Sequence, residues 1–540
     1  MNLRTFKALA VAAPLLLAAA ACTDPTVAPK SSVTGANIWN DPNAYSEYMA
    51  KLYSGLILTG QVGPNGNQDI QQIDEGTSEY LRLYWYLQEL PTDEAVIGWG
   101  DPGVPDLNKW QWTSTNTISN AMYYRVYFQV VLANEFLRQT TASLLASRGV
   151  STTLKTQIQQ YRAEARFLRA LAYAHGLDLF GAIPLVTEAT AIGSAPPKQT
   201  ARDSIYRYVV SELIAAKDSM PAPSPAVWGR ATTMAAHMLL ANLYLNAQVY
   251  IGTANNAGAL AEATTVIGST YTLNPVFRNN FTSDNANSNE IIFAALENGT
   301  HTQTWGGMTF LVHAGCGGNM QASWYGMDYC WGGYRMKQQA HRQFSAGDSR
   351  GAFIYDSAAA LAMGDTTTGA SHGVSNVSDS VSDIGNFQKG AAGPKFTNKT
   401  STGGPGSQTT MIDTNFPIFR LGEAYLIYAE AAVRSGSNVA QGVTYFNALR
   451  QRAYGNATHN VTAGQMTLDT ILSERTRELL FEGKRRTDLI RYGKFTGGSY
   501  LWALKGNVIG GTATDAHFNV YAIPANELSA NPNLTQNSGY

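Results

Sequence analysis

Apolar side chains recur at three-and-four spacing in three stretches of this chain, and long stretches without any sustained period separate them. In the first, about 117–180, Tyr161, Ala165, Leu168, Ala172 and His175 fall on one helical face. Its many alanines let a neighbouring helix approach closely, and Gly181 with Pro184 stops it. The second, about 202–268, opens with a capped apolar stripe over Asp203–Leu213. A Pro-rich turn at 221–225 then leads into 231–247, and a shorter helix covers 258–267. The third, 421–492, predicts three more helices divided near Gly436 and Gly455.

These segments predict a mainly α fold, a tetratricopeptide-like helical-hairpin scaffold (about 117–268 and 416–495) with long irregular insertions. The strict repeat signature of that array is absent. The insertions, about 61–115 and 270–415, are rich in Gly, Asn, Asp and aromatics, and an irregular segment follows at 496–540. Loops of this length in a compact body are usually functional. The Ser/Thr/Gly-rich part, 356–410, reads as solvated surface instead.

The N-terminus predicts export. Arg4 and Lys7 precede the apolar run Ala8–Ala21, which is too short to span a bilayer core. Residues 1–21 therefore read as a lipoprotein signal peptide, because Ala19-Ala20-Ala21-Cys22 resembles a lipobox with Cys22 as the lipidation site. Several acyl chains at about 0.8 kcal/mol per buried CH₂ make a stable anchor. The polar, Pro-containing stretch in 22–40 suits a tether to a body at 41–540. An exported, lipid-anchored protein is expected.

Of three cysteines, lipidation of Cys22 leaves Cys316 and Cys330 as an even pair, either disulfide-bonded or two free thiols. Without Arg4 and Lys7 the chain carries 36 basic and 39 acidic side chains, so no basic footprint points to nucleic acid.

Catalysis finds no positive signal. Adjacent acids such as Asp74/Glu75 and Asp93/Glu94 are expected to be solvated or helix-capping, and no nucleophile elbow or phosphate loop occurs. His301, His313 and His341 show no metal-ligand spacing, while His175 and His237 lie in apolar helical stretches as core residues. No cofactor is expected.

Aromatics supply the positive signal: 10 Trp and 28 Tyr, with Trp clustered in two windows. The first holds Tyr80, Arg82, Tyr84, Trp85, Tyr86, Trp99, Trp110 and Trp112; the second holds Trp305, Trp324, Tyr325, Tyr329, Trp331 and Tyr334. A flat ring covers the apolar C–H face of a pyranose, and polar side chains bond its hydroxyls. At least half of these aromatics should nevertheless be core.

Four segments resemble the SusD/RagB family of cell-surface nutrient-binding lipoproteins. They are Ala163–Ala170 running into Leu179-Phe180-Gly181-Ala182-Ile183-Pro184, then Gly229-Arg230-Ala231-Thr232 with Leu239–Leu245. Phe416–Ala431 follows with Glu474–Arg491, and the fourth is Ile523-Pro524 with Asn531–Tyr540. They run in order over almost all of the mature chain. The resemblance implies a tetratricopeptide-like scaffold that caps a SusC-like TonB-dependent transporter and delivers oligosaccharide, or peptide in some members. The candidate ligand-binding residues are Arg82, Tyr84, Trp85, Trp99, Trp305, Trp324, Tyr325 and Trp331. A surface glycoside hydrolase is the remaining alternative. In Glu474–Arg491, the pairs Glu474/Arg477, Glu482/Arg485 and Asp488/Arg491 are expected on one helix face, each contributing about 0.2–0.5 kcal/mol.

Overall fold

The computed structural model describes residues 35, 37–64, 68–318, 320–354 and 380–540. The signal peptide, Cys22, much of the tether and part of the 356–410 segment lie outside them.

The periodic stretches are helical. Helices α1 (Ala44–Ser54) and α2 (Tyr80–Glu89) precede α3 (Thr117–Gln139), which starts where the Asn116 side chain accepts the Ser119 amide at 3.0 Å. In α4 (Thr152–Phe180), the Ser151 hydroxyl accepts the Leu154 amide at 3.3 Å, and Gly181 ends the helix at φ 73°. Helices α5 (Arg202–Lys217), α6 (Thr233–Leu245) and α7 (Asn256–Ile267) follow, and α8 (Gly307–Ala314) lies in the second insertion. The third stretch forms α9 (Leu421–Ser435), α10 (Val439–Tyr454), α11 (Leu468–Leu479) and α12 (Arg485–Arg491). Gly436 and Gly455 terminate α9 and α10 in the left-handed conformation.

Helices α3, α4, α5, α6, α7, α9 and α10 pack each on the next, an antiparallel-hairpin array. Alanine makes this possible: Ala165, Ala170 and Ala172 of α4 are fully or almost fully buried, as are Ala235, Ala236 and Ala241 of α6. Helix α6 is mostly apolar and lies covered between α5 and α7.

The chain leaves the array between α7 and α9 to build the second lobe. Two short antiparallel ladders tie the lobes in: β1 (Ala95–Ile97) with β5 (Tyr334–Met336), and β4 (Ile291–Ala295) with β6 (Phe416–Arg420). A third ladder, β2 (Ile183–Pro184) with β3 (Gln199–Thr200), closes the turn after α4.

Three local expectations are corrected. Helix α2 lies inside the region read as irregular, and its N-cap is Glu79, whose carboxylate accepts the Leu81 and Arg82 amides at 2.8 and 2.6 Å. Furthermore, α11 and α12 are separate, because Phe481 and Gly483 take φ of 61° and 70°. Glu474/Arg477 and Asp488/Arg491 do pair, at 2.5 and 2.8 Å. Glu482 instead pairs with Arg420 (2.7 Å) and Lys395 (2.6 Å), and Arg485 with Asp93 at 2.6 Å. Asp93 and Glu94 are thus buried partners of a scaffold arginine, neither solvated nor capping.

Candidate functional site

Glu79 fixes the start of α2 and thereby Arg82. The Arg82 guanidinium, 5% exposed, lies 4.5 Å from the Phe310 ring centre and 5.8 Å from that of Trp99. It donates to the Tyr86 hydroxyl (3.0 Å) and to the Trp305 carbonyl (3.2 Å). One arginine therefore links the first aromatic window to the second.

Around it stands an arc of half-buried indoles. Trp331 lies 6.3 Å from Trp99 and 6.2 Å from Trp305, centre to centre, and 6.4 Å from Tyr329, which is 48% exposed. Trp331 stacks on His313 at 4.8 Å, and Trp99 sets its ring against Phe310 at 5.9 Å. The His313 nitrogens face the carbonyls of Tyr329 (2.7 Å) and Thr410 (3.0 Å), while burial lowers its pKa against those bonds.

The backbone under the arc is held from several sides. A disulfide joins Cys316 and Cys330, immediately before Trp331. The amides of Trp331, Gly332 and Gly333 donate to His313, Cys316 and Ala314 at 2.8–2.9 Å. Any side chain at Gly333 would meet the Trp99 ring and Ala314, so glycine lets Trp99 lie against this strand.

Two carboxyls hold the Trp305 loop from beneath. Glu79 also accepts the Gly307 amide (2.8 Å), and Glu297 accepts that of Met308 (3.2 Å) and the Thr302 hydroxyl (3.3 Å). Burial pushes Glu79 up to about 7, against its amide donors and Arg125. Burial and the neighbouring Glu79 raise Glu297 well above the ordinary carboxylate range.

Beside the arc, a groove of about 540 Å³ is lined by Gln68, Gln72, Asp74, Thr77, Asp101 and Pro102. Gln72 takes φ 67°, and Asp74 accepts the Thr77 amide at 2.9 Å. Flat apolar rings thus adjoin acids and amides that can bond hydroxyls. Among the described residues no group of His, Cys, Asp and Glu is placed to hold a metal.

Of the eight candidate residues, the structure brings together Arg82, Trp99, Trp305 and Trp331. Trp85 is a correction: it is fully buried and its indole donates to the Phe481 carbonyl at 3.0 Å. Tyr325, 1% exposed, is likewise core. Tyr84 stacks on His175 at 4.1 Å and lines a partly open cavity of about 90 Å³ with Asn242, Asn246 and Lys484. Trp324 lies half-buried against the main core on the turn Ala322–Tyr325. Exposed Tyr329, inside the second window, and the rim acids Asp74 and Asp101, beside and within the first, stand at the arc without belonging to the eight candidates.

The assembly defines a class: a helical-array scaffold whose irregular lobes present an aromatic surface. Comparison with known proteins makes this specific. Residues 289–540 match the description "SusD family", and residues 93–245 match "Starch-binding associating with outer membrane". Over 526 residues the chain is 33% identical to the starch-binding protein SusD of Bacteroides thetaiotaomicron, covering 91% of each. It is 24% identical over 515 residues to a SusD-like protein of Bacteroides ovatus, covering 90% of this chain and 82% of that one. The chain belongs to the SusD family. Two solved structures share its fold at a TM-score of 0.68. One is surface glycan-binding protein A from Bacteroides thetaiotaomicron in complex with laminarihexaose, at 20% identity over 91% of this chain and 98% of that one. The other is surface glycan-binding protein A from Bacteroides uniformis, at 21% identity over 92% and 99%.

Proposed function

We propose that this protein is a lipid-anchored, outer-membrane glycan-binding protein without catalytic activity. It captures oligosaccharide outside the cell and passes it to a SusC-like TonB-dependent transporter. The arc of Trp99, Trp331 and Trp305, braced by Arg82, carries this reading. The names of its relatives, which include starch-binding and laminarihexaose-bound proteins, support a glycan as the cargo. Glu79 and Glu297, the carboxyls beneath the arc, are occupied in holding backbone amides, as positioning groups would be.

Covering about 60 Å² of sugar face per ring at about 25 cal/mol/Å² contributes roughly 1.5 kcal/mol. Three rings reach about 4–5 kcal/mol before ordering costs, which corresponds to about millimolar binding. The fixed backbone under the rings keeps those costs low, and tethering beside a transporter raises the effective concentration of the captured chain.

Affinity electrophoresis in glycan-containing gels tests the site. Single Trp99→Ala, Trp305→Ala and Trp331→Ala variants should each weaken retention about tenfold. The triple variant should lose retention while unfolding at nearly the wild-type temperature. Unchanged retention in the triple variant sinks the proposal, and turnover of chromogenic glycosides by pure protein removes its non-catalytic part.

A further inference from the structure

Trp228 sits outside every hydrophobic cluster of the protein. Among the described residues its indole has no ring contact and no hydrogen bond, although it is half-buried. Tryptophan normally contributes a large buried area and a satisfied N–H, so a ring placed this way calls for a partner. Its backbone is nevertheless fixed. The Trp228 amide donates to the Pro225 carbonyl at 3.3 Å, and Arg230 bonds Glu164 at 3.1 Å. Gly229, at φ 84°, lies tightly against Leu296.

The ring lines an open cleft of about 670 Å³ whose other wall includes Asp284, Asn298, Thr302, Ser407 and Asp413. Both carboxylates are pre-oriented. Asp413 accepts the Gly299 amide (2.8 Å), the Ser407 hydroxyl (2.7 Å) and the Ser407 amide. Asp284 accepts the Ser401 amide (2.7 Å) and hydroxyl (2.6 Å) and the Thr282 hydroxyl (2.8 Å). A carboxylate offers about four acceptor positions, so about one remains on each. The Asn298 oxygen accepts the Thr300 amide and hydroxyl at 3.0 and 2.6 Å, while its NH₂ group has no partner among the described residues. An uncovered indole beside free acceptors and a free donor is complementary to a pyranose with its hydroxyls. Glu297 also lines the cleft, its carboxyl held towards the neutral form by burial, while the Asp284 and Asp413 carboxylates disfavour an acidic sugar.

The cleft and the arc share one loop. Thr302 lines the cleft and Trp305 stands three residues on, which places their α-carbons within about 10 Å of each other. An oligosaccharide of several units is long enough to cover that separation.

We infer that the Trp228 cleft is a second subsite for neutral saccharide, engaged by chains long enough to extend from the arc. This rests on the reading of the arc as a glycan platform, and the test separates the two. Isothermal titration with maltooligosaccharides and laminarioligosaccharides, from disaccharide to heptasaccharide, is run on wild type, Trp228→Ala and Trp305→Ala after a glycan-array screen of the wild type. Trp228→Ala should fold and melt like wild type. It should bind the shortest ligands unchanged and the longest about tenfold more weakly. Trp305→Ala should weaken every length. If Trp228→Ala matches wild type at all lengths while Trp305→Ala loses binding, the subsite is overturned and the platform stands. If Trp305→Ala also matches wild type, or the wild type shows no heat of binding up to tens of millimolar of any of these glycans, both are overturned.

Discussion

Trp85 and Trp99 belong to one aromatic window yet do different work. Trp85 stands on α2 with its indole bonded to Phe481, whereas Trp99 follows β1 and stays half-exposed. Replacing Trp85 with alanine should therefore cost about 3–5 kcal/mol of stability in denaturant unfolding, the usual range for a buried tryptophan. Glu79 makes a prediction of opposite character. Its folded pKa, about 7, lies above the unfolded value of about 4.3, so the native state holds this proton more tightly. The associated stabilisation is complete below pH about 4.3 and is lost as pH rises through about 7. Between pH 5 and 8 the wild type should lose on the order of 2–3 kcal/mol relative to Glu79→Gln. Parallel slopes for the two proteins would refute this.

At the scale of elements, arginines and carboxylates bind the inserted lobe to the array. Arg420 on β6 contacts Glu290 (2.8 Å), Glu478 (2.6 Å) and Glu482 (2.7 Å), and Arg350 contacts Asp348, Glu474 and Glu478 at 2.6–3.0 Å. Removing one member leaves buried charge without a partner. Arg420→Ala should thus destabilise by about 3–5 kcal/mol, against the few tenths expected for helix-surface pairs. Urea midpoints within error of wild type would contradict that. This contrast marks what the sequence could convey. Three-four periodicity and glycine stops are local, so α5–α7, α9 and α10 are legible within a few residues, whereas the break between α3 and α4 and that between α11 and α12 are not. The partners of Trp85, Asp93 and Arg420 lie up to about 400 positions away, and no local spacing encodes them. The arc was legible as composition. Which indoles face solvent depends on β1 pairing with β5 and on α2 being a helix, both set by tertiary contacts.

For the whole molecule, the acid limit follows from the same ionic core. Burial raises Glu430 and Glu474, but Arg491 overcomes it in the first, and Arg350, Arg477 and Arg450 in the second, bringing each down to about 2. Their stabilisation is present above pH about 4.3 and is lost as pH falls towards 2. Chemical unfolding across a pH series should therefore show stability falling between about pH 4 and 2. The closing residues act on the same scale. Asn537 donates to the Phe180 and Tyr521 carbonyls at 2.9 and 2.7 Å, and Asn531 and Asn533 reach Pro197 and Pro196 at 2.8 and 2.9 Å. The Trp112 indole donates to the Tyr540 hydroxyl at 2.7 Å. Four of these bonds join positions more than 330 residues apart, so they form only once the chain between them has been made and folded back. The turn after α4 is therefore latched last, and the array should complete its folding slowly for its helix content.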